Sequence, residues 1–385
     1  MSLFALWLVA SATPLSATDP FVPTRQEAQR IELMNRPETW FERNLKGPPV
    51  VIDGQHLDPK LQYYLEKEKE RLTPDVAQQE AALFASAEGR SVIRDVLTRE
   101  WAMFTRKTAP MQSVEARQID SRGGKLDLRI YRPAHKADEK LPVIVYFHGG
   151  GWIYSNVEAV DRTARLIANE AKMIVVSVDY RLAPEHTWRA SLDDGEDAYR
   201  WTRANAECLG GDPTRIAVGG DSAGGTIALS VSRRAALKAE PMPLYQLLYY
   251  PGPDFSEQYR SMKLFEQGFS LDAGFIDLMD ALAFDGVIRR GANREDAEMR
   301  PMASQSLADM PATIIATAGF DMLRDSGRAF ASRLEQEGVA VTYLNYPSLI
   351  HGFLQWSGPV ADADRAATDT ARLLGTAIRS RANQD

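Results

Sequence analysis

Gly220-Asp221-Ser222-Ala223-Gly224 places one hydroxyl at the centre of a glycine-flanked turn. The run RIAV before it suits a strand, and TIALSVSRRAALK after it suits a helix. A G-x-S-x-G in that setting is the pattern of a nucleophile elbow, where small neighbours let the chain turn sharply and project the serine at a helix N-terminus. A phosphate cradle is the rival reading. It fails because Gly225 stands where a P-loop needs its lysine, and no dinucleotide glycine fingerprint follows the first strand. Serine needs a base to take its proton and a third group to orient that base. Among the five histidines only His351 follows Ser222, as the order serine, acid, histidine on such a sheet requires. The acid is expected at Asp321, where the apolar run ATIIATAGF ends, because ligand-facing groups gather at the carboxyl ends of strands. Asp325, one helical turn further on, is the competitor and reads as a helix-start charge. HGGGW at 148–152 follows another apolar run, and its glycines allow backbone N–H groups to approach a developing oxyanion. Gly150, Gly151 and the amide of Ala223 are the candidate donors.

The elements that must position these groups follow from hydrophobic pattern. Residues 24–110 show helical periodicity and no convincing strand, with Val92, Ile93, Val96, Leu97 and Trp101 recurring at steps of three and four. After Met111, VEARQID and LDLRIYRP flank Ser121-Arg122-Gly123-Gly124 as a hairpin. PVIVYF, MIVVSV, RIAV, PLYQLLYY, ATIIATAG and AVTYLNYP follow as continuous apolar runs, the mark of strands buried on both faces of a mainly parallel sheet. The total is eight strands, the first pair antiparallel, with helices between most of them, which predicts an α/β domain. Between Pro251 and about Pro301 the alternation lapses into helical material, read as an insertion.

The net charge of −7, with no dense Lys/Arg stripe, argues against nucleic acid as a partner. The single cysteine, Cys208, forbids an intramolecular disulfide and a zinc cluster and is expected as a small buried filler. No stretch has the about 20 apolar residues of an integral membrane span. Leu3 to Ala10 is apolar and leads to an Ala10-Ser11-Ala12 step. Residues 1–23 therefore read either as containing an export signal, removed over roughly the first 17, or as an amphipathic segment that packs on the domain or covers its pocket. The first places the protein in the periplasm or outside the cell, the second in the cytoplasm.

HGGGW at 148–152, VDYRLAPEH at 178–186, GDSAGG at 220–225 and HGF at 351–353 together resemble the hormone-sensitive lipase family of α/β-hydrolases, in its bacterial esterase branch. The likeness covers roughly residues 115–385. It implies an α/β-hydrolase fold, an eight-stranded, mostly parallel sheet flanked by helices under a helical cap. The cap would combine the N-terminal helical region, 24–113, with an insertion at about 252–300 in the catalytic domain, 114–385. The resemblance further implies hydrolysis of short- to medium-chain carboxylic esters by Ser222, His351 and Asp321, with no metal and no organic cofactor. A lipase acting on longer chains and a catalytically silent ligand-binding member are the alternatives, and a homodimer is left open. Trp40, Phe41 and Trp101 are expected either to line the acyl pocket or to form cap core. Three departures bear on loop shape: Met322 where the family has proline, Ser348 where it has glycine, and Thr187-Trp188-Arg189 in place of a proline-rich stretch.

Overall fold

The continuous apolar runs all lie in strands, and the inner ones are covered on both sides, but AVTYLNYP corrects that expectation: it forms the edge strand Val341–Ile350, half-buried or exposed over most of its length. The computed structural model describes residues 13–14, 16–136, 139–255, 259–286, 288, 297–298 and 300–381. Its strands are β1 (Thr13–Pro14), β2 (Val51–Ile52), β3 (Gln55–His56), β4 (Ser113–Ser121), β5 (Gly124–Arg132) and β6 (Leu141–Phe147). They continue as β7 (Ile174–Asp179), β8 (Gly211–Asp221), β9 (Tyr245–Tyr249), β10 (Ala312–Phe320) and β11 (Val341–Ile350). One large sheet has the order β1-β4-β5-β7-β6-β8-β9-β10-β11. β1, β4 and β5 pair antiparallel, as do β5 and β7, and every pairing from β7 onward is parallel. The eight expected strands are therefore present, joined at the edge by the two-residue β1. Every residue of β6 and β10 is buried. Helices Asp161–Ala171 and Ala361–Arg381 pack together, as do Trp188–Asn205 and Ala223–Leu237, and these pairs cover the sheet.

Among the described residues five helices precede β4, and polar residues start most of them: Thr24 with Glu27 as a capping box, then Asp58, Thr73 and Ser86. The expectation of no strand in this region is corrected by the small hairpin of β2 and β3. Its turn is Asp53-Gly54, both at positive φ, which is the dipeptide that a two-residue hairpin favours. Cys208 is also corrected. It lies exposed in the turn between helix Trp188–Asn205 and β8 rather than filling the core. The apolar run from Leu3 and the Ala10-Ser11-Ala12 step lie outside the described residues, as do several positions of the 252–300 stretch. The chain just after that run is tied to the body. Arg165, nearly buried, donates to the carbonyls of Ser16 and Ala17, and Arg162 pairs with Asp19 at 2.6 Å.

The order β5-β7-β6-β8 reverses direction across the sheet at β6, and ligand crevices open beyond the carboxyl ends of strands at such a point. HGGG leaves the end of β6, Ser222 follows β8, Asp321 follows β10 and His351 follows β11. Four strand ends thus bring the chemistry-bearing residues to one edge.

Candidate active site

Ser222 sits between β8 and helix Ala223–Leu237 at φ 54° and ψ −120°, a conformation that costs a non-glycine residue about 1–3 kcal/mol. Its N–H donates to the Tyr249 carbonyl at 2.9 Å, which helps to hold the turn. The glycines beside it are required by space. A Cβ on Gly224 would lie 2.0 Å from the Phe147 carbonyl oxygen, and one on Gly220 would lie 2.4 Å from the Gly224 carbonyl carbon. The elbow and the end of β6 therefore touch backbone to backbone.

His351 Nε2 is 2.9 Å from Ser222 Oγ, and its Nδ1 is 2.8 Å from Asp321 Oδ2. Asp321 is buried, and its other oxygen accepts from the Leu323 N–H at 2.9 Å, so the carboxylate has a fixed face for the imidazole. Tyr250 packs its ring 4.8 Å from that of His351. Asp325 lies elsewhere in this geometry. Its carboxylate takes the Ser261 N–H at 2.9 Å and the Arg324 guanidinium at 2.8 Å at the start of helix Arg324–Gln336.

Gly150 and Gly151 have φ of 112° and 59°, a region that favours glycine, and both line the cavity above Ser222. Ala223 begins the helix behind the serine and is buried. Among the described residues no backbone or side-chain acceptor takes the N–H of Gly150, Gly151 or Ala223. His148, next to them, is not part of the relay. It is fully buried, its ring stacks 4.2 Å from Tyr180, and burial pushes its pKa down to about 4, so it stays neutral.

Asp221, inside the GDSAG motif, is a functional residue that motif reading did not single out. Its Oδ1 accepts from the Tyr146 hydroxyl at 2.7 Å and from the Gly149 N–H at 3.0 Å. Burial raises its pKa, and those two hydrogen bonds work against the rise. One carboxylate thus joins the serine turn to the glycine loop. Tyr180 braces the same loop by donating to the His148 carbonyl at 2.7 Å. The sequence signal was slight, because a tyrosine and an aspartate 75 residues apart obey no spacing rule.

The cavity encloses about 210 Å³, with Ser222, His351 and Asp221 on its floor. Its walls include Tyr64, Trp101 and Phe104 from the N-terminal helices, Leu271 and Phe275 from the segment between β9 and β10, and Trp356 after His351. Trp101 is therefore at the pocket. Trp40 and Phe41 are not, and pack edge-on against Tyr63 instead. Helix Ala87–Phe104 is clamped over the site by Arg94, which donates to the carbonyls of Ile153 and Ala183 at 3.0 Å each and pairs with Glu185 at 2.8 Å. Burial works against charge on Glu185, but Arg94 and Arg90 outweigh it and hold its carboxyl down to about 2. Trp188, one of the departures in sequence, packs 5.5 Å from Phe284, which follows helix Ala273–Ala283 in the segment between β9 and β10.

A mainly parallel sheet, a strained serine between strand and helix, and an imidazole and carboxylate at later strand ends define the class of α/β hydrolases. The family described as alpha/beta hydrolase fold matches residues 144–355, and the chain belongs to it, within the hormone-sensitive lipase group that its motifs resemble. The carboxylic ester hydrolase LipN of Mycobacterium tuberculosis is 35% identical over 317 residues, 80% of each chain. The carboxylesterase NlhH of the same species is 37% identical over 266 residues, 66% of this chain and 79% of that one. Among solved structures, an α/β hydrolase enzyme from the metagenome of Lake Arreo, Spain, superposes with a TM-score of 0.74 at 32% identity. It covers 83% of this chain and 98% of that one. A hyperthermophilic esterase from Pyrobaculum calidifontis gives 0.69 at 30% identity, with 79% and 98% covered.

Proposed function

We propose that the protein is a carboxylesterase that hydrolyses short- to medium-chain carboxylic esters through an acyl-enzyme on Ser222. The observation that carries this reading is the relay of 2.9 Å and 2.8 Å from Ser222 through His351 to Asp321, with Ser222 and His351 lining the cavity. His351 Nε2 takes the serine proton as Oγ attacks the ester carbonyl. Asp321 accepts from Nδ1–H and so fixes the tautomer that leaves Nε2 free to act as base, and it stabilises the imidazolium that forms. The N–H groups of Gly150, Gly151 and Ala223 receive the oxyanion, helped by the N-terminus of helix Ala223–Leu237. The alcohol departs with the proton from His351, and water repeats the sequence to release the acid.

Residues 24–113 and the stretch 252–300 are read as a cap, since Trp101 and Phe104 from one and Leu271 and Phe275 from the other wall the cavity. At about 210 Å³ the cavity is smaller than the roughly 300–1,000 Å³ of sites that take drug-sized ligands, which favours short acyl groups. The names of the relatives, which include a carboxylic ester hydrolase, a carboxylesterase and an ethyl acetate hydrolase, support the same substrate class. The test is a panel of p-nitrophenyl esters from acetate to palmitate with the parent and Ser222→Ala. The reading expects an optimum at acetate to hexanoate and a loss on the order of 10⁴-fold or more in kcat for the variant. Turnover by Ser222→Ala at the parent rate would remove it.

A further inference from the structure

A second cavity of about 490 Å³ lies behind the active-site pocket, between helix Arg25–Met34 and the chain around Gly358. Phe104 lines both cavities. Its ring stacks on Trp356, which walls the inner pocket, with centroids 4.9 Å apart and planes 12° from parallel. Arg30, on the helix that borders the outer cavity, sits 5.5 Å over the same ring. Phe104 is buried and is the residue common to the linings of the two spaces.

The outer cavity has a mixed lining, with Glu32, Asn35 and Thr105 beside an apolar side that suits hydrocarbon. Phe21, Ala28, Ile31 and Met103 supply apolar lining. The cations in its lining are engaged: Arg106 pairs with Glu170 at 2.7 Å, Arg162 with Asp19 at 2.6 Å, and Lys107 lies 3.6 Å from the same aspartate. Those carboxylates already offset the local positive charge, and a methylene chain on the apolar side gains by leaving water.

We infer that Phe104 is the residue that sets the chain-length limit, closing the pocket above Ser222 off from an outer cavity whose apolar side is able to take the end of a longer ester chain. The inference rests on the ester-hydrolase reading. The chain belongs to the acyl or to the alcohol part of the ester, and two substrate series separate these sources.

The experiment compares the parent, Phe104→Ala and the milder Phe104→Leu on p-nitrophenyl butyrate against decanoate, and on ethyl butyrate against octyl butyrate. Thermal melting of each variant is recorded alongside. The expected result is a rise of at least tenfold in the long-to-short ratio of kcat/KM for Phe104→Ala in one of the two series. Phe104→Leu should give a smaller rise in the same series. Adding Ile31→Trp, which fills the outer cavity, should return the ratio toward that of the parent. An unchanged ratio in both series for whichever of the two Phe104 variants melts cooperatively overturns the inference, as does a gain that Ile31→Trp leaves intact. Persistence of short-ester turnover in those cases leaves the esterase reading standing. Absence of any ester turnover by the parent removes that reading, and this inference with it.

Discussion

Replacing Asp221 is expected to separate two demands on one carboxylate, its shape and its charge. In Asp221→Ala, the buried Tyr146 hydroxyl and Gly149 N–H lose their acceptor. Each stranded donor costs about 1–3 kcal/mol, so the variant should lose about 2–6 kcal/mol of stability. The glycine loop also loses its tie to the serine turn. If that displaces one oxyanion donor, kcat should fall by about 10²–10³ with KM little changed, because the donors act on the transition state. Asp221→Asn keeps an oxygen in place for both donors. It gives up charge assistance, worth roughly half of each bond, but it also removes the cost of holding a charge in a buried position. It should therefore stay within about 1–2 kcal/mol of the parent and keep most of its kcat. Urea unfolding followed by tryptophan fluorescence gives the stabilities, and initial rates on p-nitrophenyl butyrate give kcat and KM. Parent-like kcat and midpoint in Asp221→Ala would refute the bridging role. Equal damage in both variants would show that the charge, not the oxygen, is what the loop needs.

Other substitutions test other parts of the account. Gly224→Ala puts a Cβ 2.0 Å from the Phe147 carbonyl oxygen, so it should cost at least about 1–3 kcal/mol and lower kcat; a parent-like melting temperature would contradict the backbone contact. Asp179, at the end of β7, has its pKa raised to about 7 by burial and by the nearby Glu158. An acid whose folded value lies above its unfolded value of about 4 binds more protons when folded, so stability falls as pH rises through that window and the full cost is present above pH 7. Asp179→Asn should then gain on the parent from pH 5 to pH 8 in urea titrations, and a pH-independent difference would contradict this. Asp321→Asn should lower kcat by about 10⁴ by favouring the wrong imidazole tautomer, while Asp325→Asn should retain parental kcat; the reverse ranking would exchange their roles.

Much of the architecture was legible because burial writes itself into composition. β6 and β10 are apolar but for two threonines, Thr313 and Thr317, and are covered on both sides, so LPVIVYF and ATIIATAGF could hardly be anything but inner strands. The order of Ser222, Asp321 and His351 along the chain, each next to a strand end, was legible for the same reason. What escaped depends on contacts that no periodicity encodes. The Asp221 bridge joins residues far apart in the chain, and Arg94 reaches Glu185 across 91 positions. Trp40 and Phe41 looked as fit for a pocket as Trp101, since aromatic type does not tell which cluster a ring joins. The Asp53-Gly54 hairpin did have a local signal, masked by the helices around it. Cys208 was misplaced because cysteine is usually buried, yet this one falls in a turn.

The most direct test of the central claim is covalent capture of the nucleophile. The protein is incubated with diethyl p-nitrophenyl phosphate, and the adduct is located by peptide mass spectrometry. The account expects one diethylphosphoryl group per chain, on Ser222, formed in step with loss of esterase activity. A label on any other residue, or full inactivation with Ser222 unmodified, would contradict it.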